Sequence, residues 1–282
     1  MKTKLFLASF ILVLFVNLMV FAQNGLGDYA LEFDGIDDYV TIGIPLVDHS
    51  HNMTVEAWFN TTNSGTFNSI ATIEKKASGT NDYLQILTDP NGKVYLDDAN
   101  DAPVIITAES YNDGKWHHVA FVRNTAIKTI YLYVDGDLKG TQTYTVSGPI
   151  DPDHELRFGN SEYTAGGANP NGSYLMDGML DDIKVWDDVR TAEEIREYMY
   201  KDATGQPNLV GYYRMSNGTG LSLTDNSGNG NTGTLNNGPV WKASGALGGS
   251  KQALEFDGTN DCVESSLNGI ATNTITRACA IK

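Results

Sequence analysis

Between Gly25 and Met199, apolar residues recur at every second position, and this alternation confines the chain to a sheet-based fold. In MTVEAWFN (53–60), Val55, Ala57 and Phe59 alternate with Thr54, Glu56 and Trp58. In KTIYLYVDG (128–136), Ile130, Leu132 and Val134 alternate with Tyr131 and Tyr133. WHHVAFV (116–122) and DDIKVW (181–186) repeat the pattern. Between such segments fall Asn91-Gly92, Asp113-Gly114, Asp135-Gly136 and Asn171-Gly172, pairs that tolerate the positive φ of tight hairpins. Many short strands with frequent turns predict an all-β chain, an antiparallel jelly-roll β-sandwich. One short helix is expected near the end of this region. Thr191-Ala-Glu-Glu194 is a capping box, and EEIREYMY continues at helical spacing.

The chain also writes one phrase twice. ALEFDGIDDYV (30–40) returns as ALEFDGTNDCV (253–263), with eight of eleven positions identical. The polar stretch KDATGQPN (201–208) lies between, and the Gly- and Asn-rich residues 208–241 lead directly into the second phrase. This order predicts one domain over 24–203, a linker at 204–206, and an incomplete second domain over 207–282. Ahead of both, Lys2 and Lys4 precede an apolar run that ends at Val20-Phe21-Ala22, the pattern of a secretory signal peptide over residues 1–22. The run is close to membrane-spanning length, so an uncleaved anchor is the alternative. Cleavage implies a secreted chain, extracellular or periplasmic or held at the cell surface, with no membrane insertion after processing.

Charge narrows the partners. Without Lys2 and Lys4, seventeen basic residues face thirty-five acidic ones, a net −18. Phosphate recognition needs Lys and Arg, so nucleic acid and anionic membrane are excluded as partners. Divalent cations and neutral ligands fit. At 41% hydrophobic and 10% aromatic residues, the composition can build a core without disulfides, and both cysteines, Cys262 and Cys279, come only after the second phrase.

TVEAWF, GKWHHVAFVR, LYVDG and DGMLDDIKVWDDVRTAEEI follow ALEFDG in an order that resembles LamG-like jelly-roll domains of the concanavalin A-like lectin/glucanase superfamily. The resemblance implies a non-catalytic recognition or adhesion module within a larger protein, taking a glycan or a surface-protein ligand and acting as a monomer. The alternative it allows is an accessory domain of a polysaccharide-degrading enzyme whose catalytic part lies outside this chain. It also implies a structural calcium where the first strand meets the last strand before the helix.

The residues speak to each of these. Glu32, Asp34 and Asp37 echo the E-x-D-x-x-E of glucanases, but Asp37 is a shorter arm, Asn260 replaces it in the second phrase, and Gly35 ends the strand between them. No catalytic residue is assigned. Calcium takes carboxylate and carbonyl oxygens. Alternation in DDIKVW puts Asp181 on one face with Ile183 and Val185, so Asp181 is expected to point inward and share a cation with Asp34 and Gly35. Alternatively, these aspartates cap turns and face water. His117 and His118 are neighbours on a strand and must face opposite ways, so they cannot enter one site, and one is expected to be a buried hydrogen-bonding group. Trp58, Tyr131 and Tyr133 lie opposite the aliphatic face, where aromatic rings can stack on sugars. The same positions could equally pack into a second layer of core.

Overall fold

The computed structural model describes residues 29–43, 51–75, 83–98, 104–144, 154–161, 163–164, 167–168 and 174–246. Residues 1–22, read above as a signal peptide, the second phrase, Cys262 and Cys279 lie outside the described residues.

The expected sandwich is present. In chain order the strands are β1 (Tyr29–Asp34), β2 (Tyr39–Thr41), β3 (Met53–Asn60), β4 (Asn68–Lys75), β5 (Tyr83–Thr88), β6 (Val94–Asp98) and β7 (Ile105–Ile106). They continue with β8 (His117–Asn124), β9 (Thr129–Val134), β10 (Asp137–Thr143), β11 (His154–Phe158) and the short β12 (Asn160–Ser161), β13 (Tyr163–Thr164), β14 (Gly167–Ala168) and β15 (Tyr174–Leu175). The last five strands are β16 (Asp177–Trp186), β17 (Leu209–Tyr213), β18 (Ser222–Leu223), β19 (Gly233–Asn236) and β20 (Val240–Ala243), with α1 (Ala192–Tyr198) between β16 and β17.

Two antiparallel sheets of eight strands face each other. The first runs β10-β9-β8-β3-β16-β1-β20, with β17 also on β16; the second runs β18-β19-β2-β11-β4-β5-β6-β7. Between them Phe33, Phe59, Phe121, Phe158, Leu180 and Tyr213 are buried in one continuous core. Two of the four hairpin signals close hairpins; Asp113-Gly114 instead links β7 to β8, which do not pair, and Asn171-Gly172 lies outside the described residues. Asp135 and Gly136 take φ of 53° and 76° in the turn from β9 to β10, and Gly92 takes 78° in the turn from β5 to β6. At α1 the Thr191 hydroxyl accepts from the Glu194 N–H while the Glu194 carboxylate accepts from the Thr191 N–H, so the capping box is complete.

The boundary at 204–206 is corrected. Residues 209–243 do not open a separate domain; they finish this one. β17 pairs with the second half of β16 (Ile183↔Tyr213), β19 with β2 (Leu235↔Val40) and β20 with β1 (Leu31↔Trp241). β1 occupies the same edge of β16 along its first half, so one long strand serves two partners in line. Tyr213, Met215, Leu223 and Leu235 all enter the core. The span 24–203 by itself would leave that core open.

The outer face of the first sheet is covered as well. Helix α1 lays Ile195 against Ala120, Val122 and Tyr133. Trp186 and Tyr212 pack with Tyr198, Ala203 and Leu209.

Candidate functional site

The phrase FDGIDD builds an acidic corner. β1 buries Phe33 in the core and ends at exposed Asp34. Gly35 then turns the chain with φ 73°, and its N–H donates to the Met176 carbonyl at 2.8 Å. A Cβ there would stand 2.9 Å from the Asp177 Cβ, so the turn demands glycine. The Asp34 carboxylate accepts from the Ile36 N–H at 2.8 Å, and the Asp38 carboxylate accepts from the Asp34 N–H at 3.1 Å. The turn thereby gathers Asp34, Asp37 and Asp38 with ligand oxygens within 4.8 Å of one another. Asp38 is buried, and burial raises its pKa; the charges of Asp34 and Asp37 add to this, while the Asp34 N–H partly opposes it. Three carboxylates so close repel one another, and a cation relieves the repulsion.

Beside the turn lies a cleft of about 320 Å³ lined by Glu32, Asp34, Asp38 and Asp177, with Asn60, Thr61 and Thr62 opposite. None of the described residues lining it is basic. Its wall is held by the Thr61 hydroxyl donating to the Asp177 carbonyl at 2.6 Å and by the Asp177 N–H donating to Asn68 Oδ1 at 3.1 Å. Gly178 takes φ 147°, and a Cβ on it would meet the Asn60 carbonyl at 2.2 Å. The segment after residue 208 reaches this corner too. Val240 lines the cleft, and the Asn237 amide donates to the Asp37 carbonyl at 2.8 Å. Carboxylates, an amide and hydroxyls in one open cleft can accept from and donate to a polyhydroxylated ligand. Asp37 lies in the turn rather than on β1, so Glu32, Asp34 and Asp37 do not line one strand face.

Asp181 is not part of this corner, which corrects the expected cation set. Asp34 stands opposite Asp177, whereas Asp181 stands opposite Trp58 on β3. Four residues along β16 separate Asp177 from Asp181, about 13 Å at strand rise. The expected facing fails as well, because of a bulge: the register slips between Asp181 and Lys184, and Asp182 takes φ 47°. Ile183 and Val185 keep to the core, while Asp181 turns to the other face and bonds the Ser244 hydroxyl. Burial, and then the charge of Asp182, push its pKa well above the ordinary carboxylate value.

Asp181 belongs to a buried polar layer between the first sheet and its cover. Lys184 pairs with Asp182, and the Trp186 indole donates to Glu56 Oε1 at 2.6 Å. His118 Nε2 comes within 3.3 Å of Glu56 Oε2, a close approach without hydrogen-bond alignment. Burial acts to raise the Glu56 pKa, but His118, Lys184 and Trp186 outweigh it and hold the carboxyl below its ordinary value. The two histidines do face opposite ways, His118 into this layer and His117 toward Asp113 and Asp135.

Two of the three aromatic candidates, Trp58 and Tyr133, are covered, as the second-layer alternative requires. Trp58 is 3% exposed, and its indole donates to the Met199 carbonyl at 2.9 Å. Tyr133 is buried beneath Ile195 of α1. Tyr131 stacks on Tyr133 with centroids 6.4 Å apart and keeps partial exposure. Neither Trp58 nor Tyr133 offers a ring face to a sugar. Sequence reading missed Asp177, Asn60 and Thr61, whose role depends on the pairing of β1 with β16 and on the loop after β3.

Comparison with known proteins agrees with this architecture. The family model of the concanavalin A-like lectin/glucanases superfamily matches residues 34–196, more than half of the chain. The chain belongs to that superfamily. Among curated proteins it is similar to "Sushi, von Willebrand factor type A, EGF and pentraxin domain-containing protein 1" of Rattus norvegicus, 28% identical over 169 residues, and to its Mus musculus counterpart, 28% over 172. These matches take in 58% of this chain and only 4% of those much longer proteins. Among solved structures, a Bacteroides ovatus ATCC 8483 protein provisionally described as carbohydrate binding superposes with TM-score 0.61 at 18% identity, over 77% of this chain and 60% of that one. A heptameric SAP-like pentraxin from Limulus polyphemus gives 0.55 at 16%, over 78% and 97%. The CBM40 of a Ruminococcus gnavus IT-sialidase gives 0.51 at 14%, over 60% and 95%. At such identities the likeness is one of fold.

Proposed function

We propose that the chain is a secreted, non-catalytic recognition module that binds a neutral glycan at the cleft beside the Asp34–Asp38 turn, with calcium at the turn. The observation that carries this reading is the cleft itself, whose carboxylates, amide and hydroxyls sit beside three carboxylates packed within 4.8 Å. Asp34, Asp37 and Asp38 suit a hard cation, since calcium takes several oxygen ligands in a flexible shell. Bound there, calcium supplies positive charge and oxygen coordination. Glu32, Asp177, Asn60 and Thr62 then read hydroxyl groups, the carboxylates accepting and the amide and the Thr62 hydroxyl both donating and accepting. No basic residue lines the cleft, and Lys242 beside it is paired with Glu32 at 3.1 Å, which disfavours anionic sugars. The module is read as part of a larger protein, in keeping with the small share of the curated relatives that it spans.

A glycan array probed in millimolar calcium and again in EDTA tests this. Retention on neutral glycans, with sialylated ones weaker and EDTA lowering the signal at least several-fold, is the expected result. No retention on any glycan, or retention on sialylated glycans alone, overturns it.

A further inference from the structure

Residues 209–243 close the sandwich, yet the family match ends at residue 196. The phrase that opens at β1 is written again just beyond the segment, at 253–263. In chain order the segment therefore follows one copy of the phrase and precedes the other. We propose that residues 209–243 are an exchangeable closing segment, able to complete its own sandwich or the sandwich of a second copy of this chain through the same three strand edges.

The acceptor edges are Ile183–Trp186 of β16, which takes β17; Val40 and its neighbours on β2, which take β19; and Tyr29–Glu32 of β1, which takes β20. Main-chain ladders supply most of this recognition, and they serve any strand presented in the right direction. Selectivity comes from Tyr213, Met215, Leu223 and Leu235, which enter the core, and from the Asn237 amide on the Asp37 carbonyl. No contact in this set depends on the segment and the acceptor being on one covalent chain.

The connection between them is suited to opening. Lys201, Thr204, Gly205, Pro207 and Asn208 are exposed. Asn208 is held at φ 63°, a left-handed conformation that asparagine adopts more readily than most residues but still at a cost, while Gly205 takes 77° freely. A hinge held in such a conformation is relieved when it extends, which is the condition that favours exchange of an element between copies.

Cross-linking between copies tests the inference. Thr41 and Thr234 are opposed in the β2–β19 ladder, and opposed residues of an antiparallel pair, about 4.5–5.5 Å apart at Cα, lie within disulfide range. Two forms of the full chain, both carrying Cys262→Ser and Cys279→Ser, are mixed at high concentration and then oxidised. One bears Thr41→Cys and an affinity tag, the other Thr234→Cys. The expected result is a mixed disulfide dimer several-fold more abundant than either homodimer. A Gly-Ser insertion after Gly205, which relaxes the hinge, should lower its yield. A mixed dimer no more abundant than the homodimers, while the Thr41→Cys/Thr234→Cys double variant closes within a monomer, overturns the exchange. Failure of the double variant to close at all also overturns it, because the segment then does not sit on the β2 edge.

Discussion

His117 carries a carboxylate on each ring nitrogen, Asp135 at 2.8 Å from Nδ1 and Asp113 at 3.1 Å from Nε2. Its pKa is raised from 6.5, chiefly by the bond to Asp135; burial works against the shift and Asp113 adds to it. A histidine with a raised folded-state pKa contributes stability that is fully present below its unfolded value, near 6.5, and lost as pH rises through the folded value. Asp135 itself is held low, with burial opposing and His117 and the His118 N–H prevailing, so its own pH dependence falls in the acid range and leaves this window clear. The expectation is that His117→Gln lowers the melting temperature more at pH 6 than at pH 8.5. A destabilisation that stays constant across that interval contradicts the paired-imidazole account. Part of this was legible in sequence, because adjacency on a strand forces His117 and His118 apart. Their partners were not, since Asp135 comes from the next hairpin and Glu56 from a strand some sixty residues earlier.

At the scale of elements, β3, β8, β9 and β16, the β5–β6 and β9–β10 turns and the capped helix follow from short-range pattern, and short-range pattern was enough to read them. β16 shows where that method stops. Alternation along DDIKVW assumes an unbroken pleat, whereas the bulge at Asp182 moves Asp181 to the other face. Nothing local in the sequence announces the bulge. It is sustained by the Lys184–Asp182 pair and by Ser244, more than sixty residues away. Burial raises the Asp182 pKa, with Lys184 the main opposing influence. Both partners of this pair are fully buried. Removing one therefore leaves an uncompensated charge, and Asp182→Ala should cost about 3–5 kcal/mol. Urea unfolding checks this; a loss below about 1 kcal/mol would mean that the pair does not hold the bulge.

For the whole molecule, the acidic turn is where separate parts of the chain converge. It joins β1 of one sheet to β2 of the other, leans on the residue just ahead of β16 through the Gly35–Met176 bond, and is met by Asn237 of the closing segment. The FDG phrase marked this corner in the sequence, and Asp34 and Gly35 lie in it. Its remaining walls were not, because they arrive by long-range pairing. The closing segment was assigned to a second domain for a related reason: its strands are two to five residues long and lie in a Gly- and Asn-rich stretch. Their partners on β1 and β2 lie about 200 residues away in sequence.

A cation at this corner would bind the folded state alone, since the turn that gathers its ligands does not exist in the unfolded chain. Stability then rises by about 2.7 kcal/mol at a hundredfold excess over Kd. For a domain of this size that is a melting shift of about 5–10 °C. The measurement is thermal unfolding of the chain in millimolar calcium and in EDTA, beside Asp38→Asn and, as a control on the exposed strand β10, Asp137→Asn. The account predicts the full shift in the unaltered chain and in Asp137→Asn, and its loss in Asp38→Asn. Equal melting temperatures in calcium and EDTA, or a shift that survives Asp38→Asn unchanged, would contradict it.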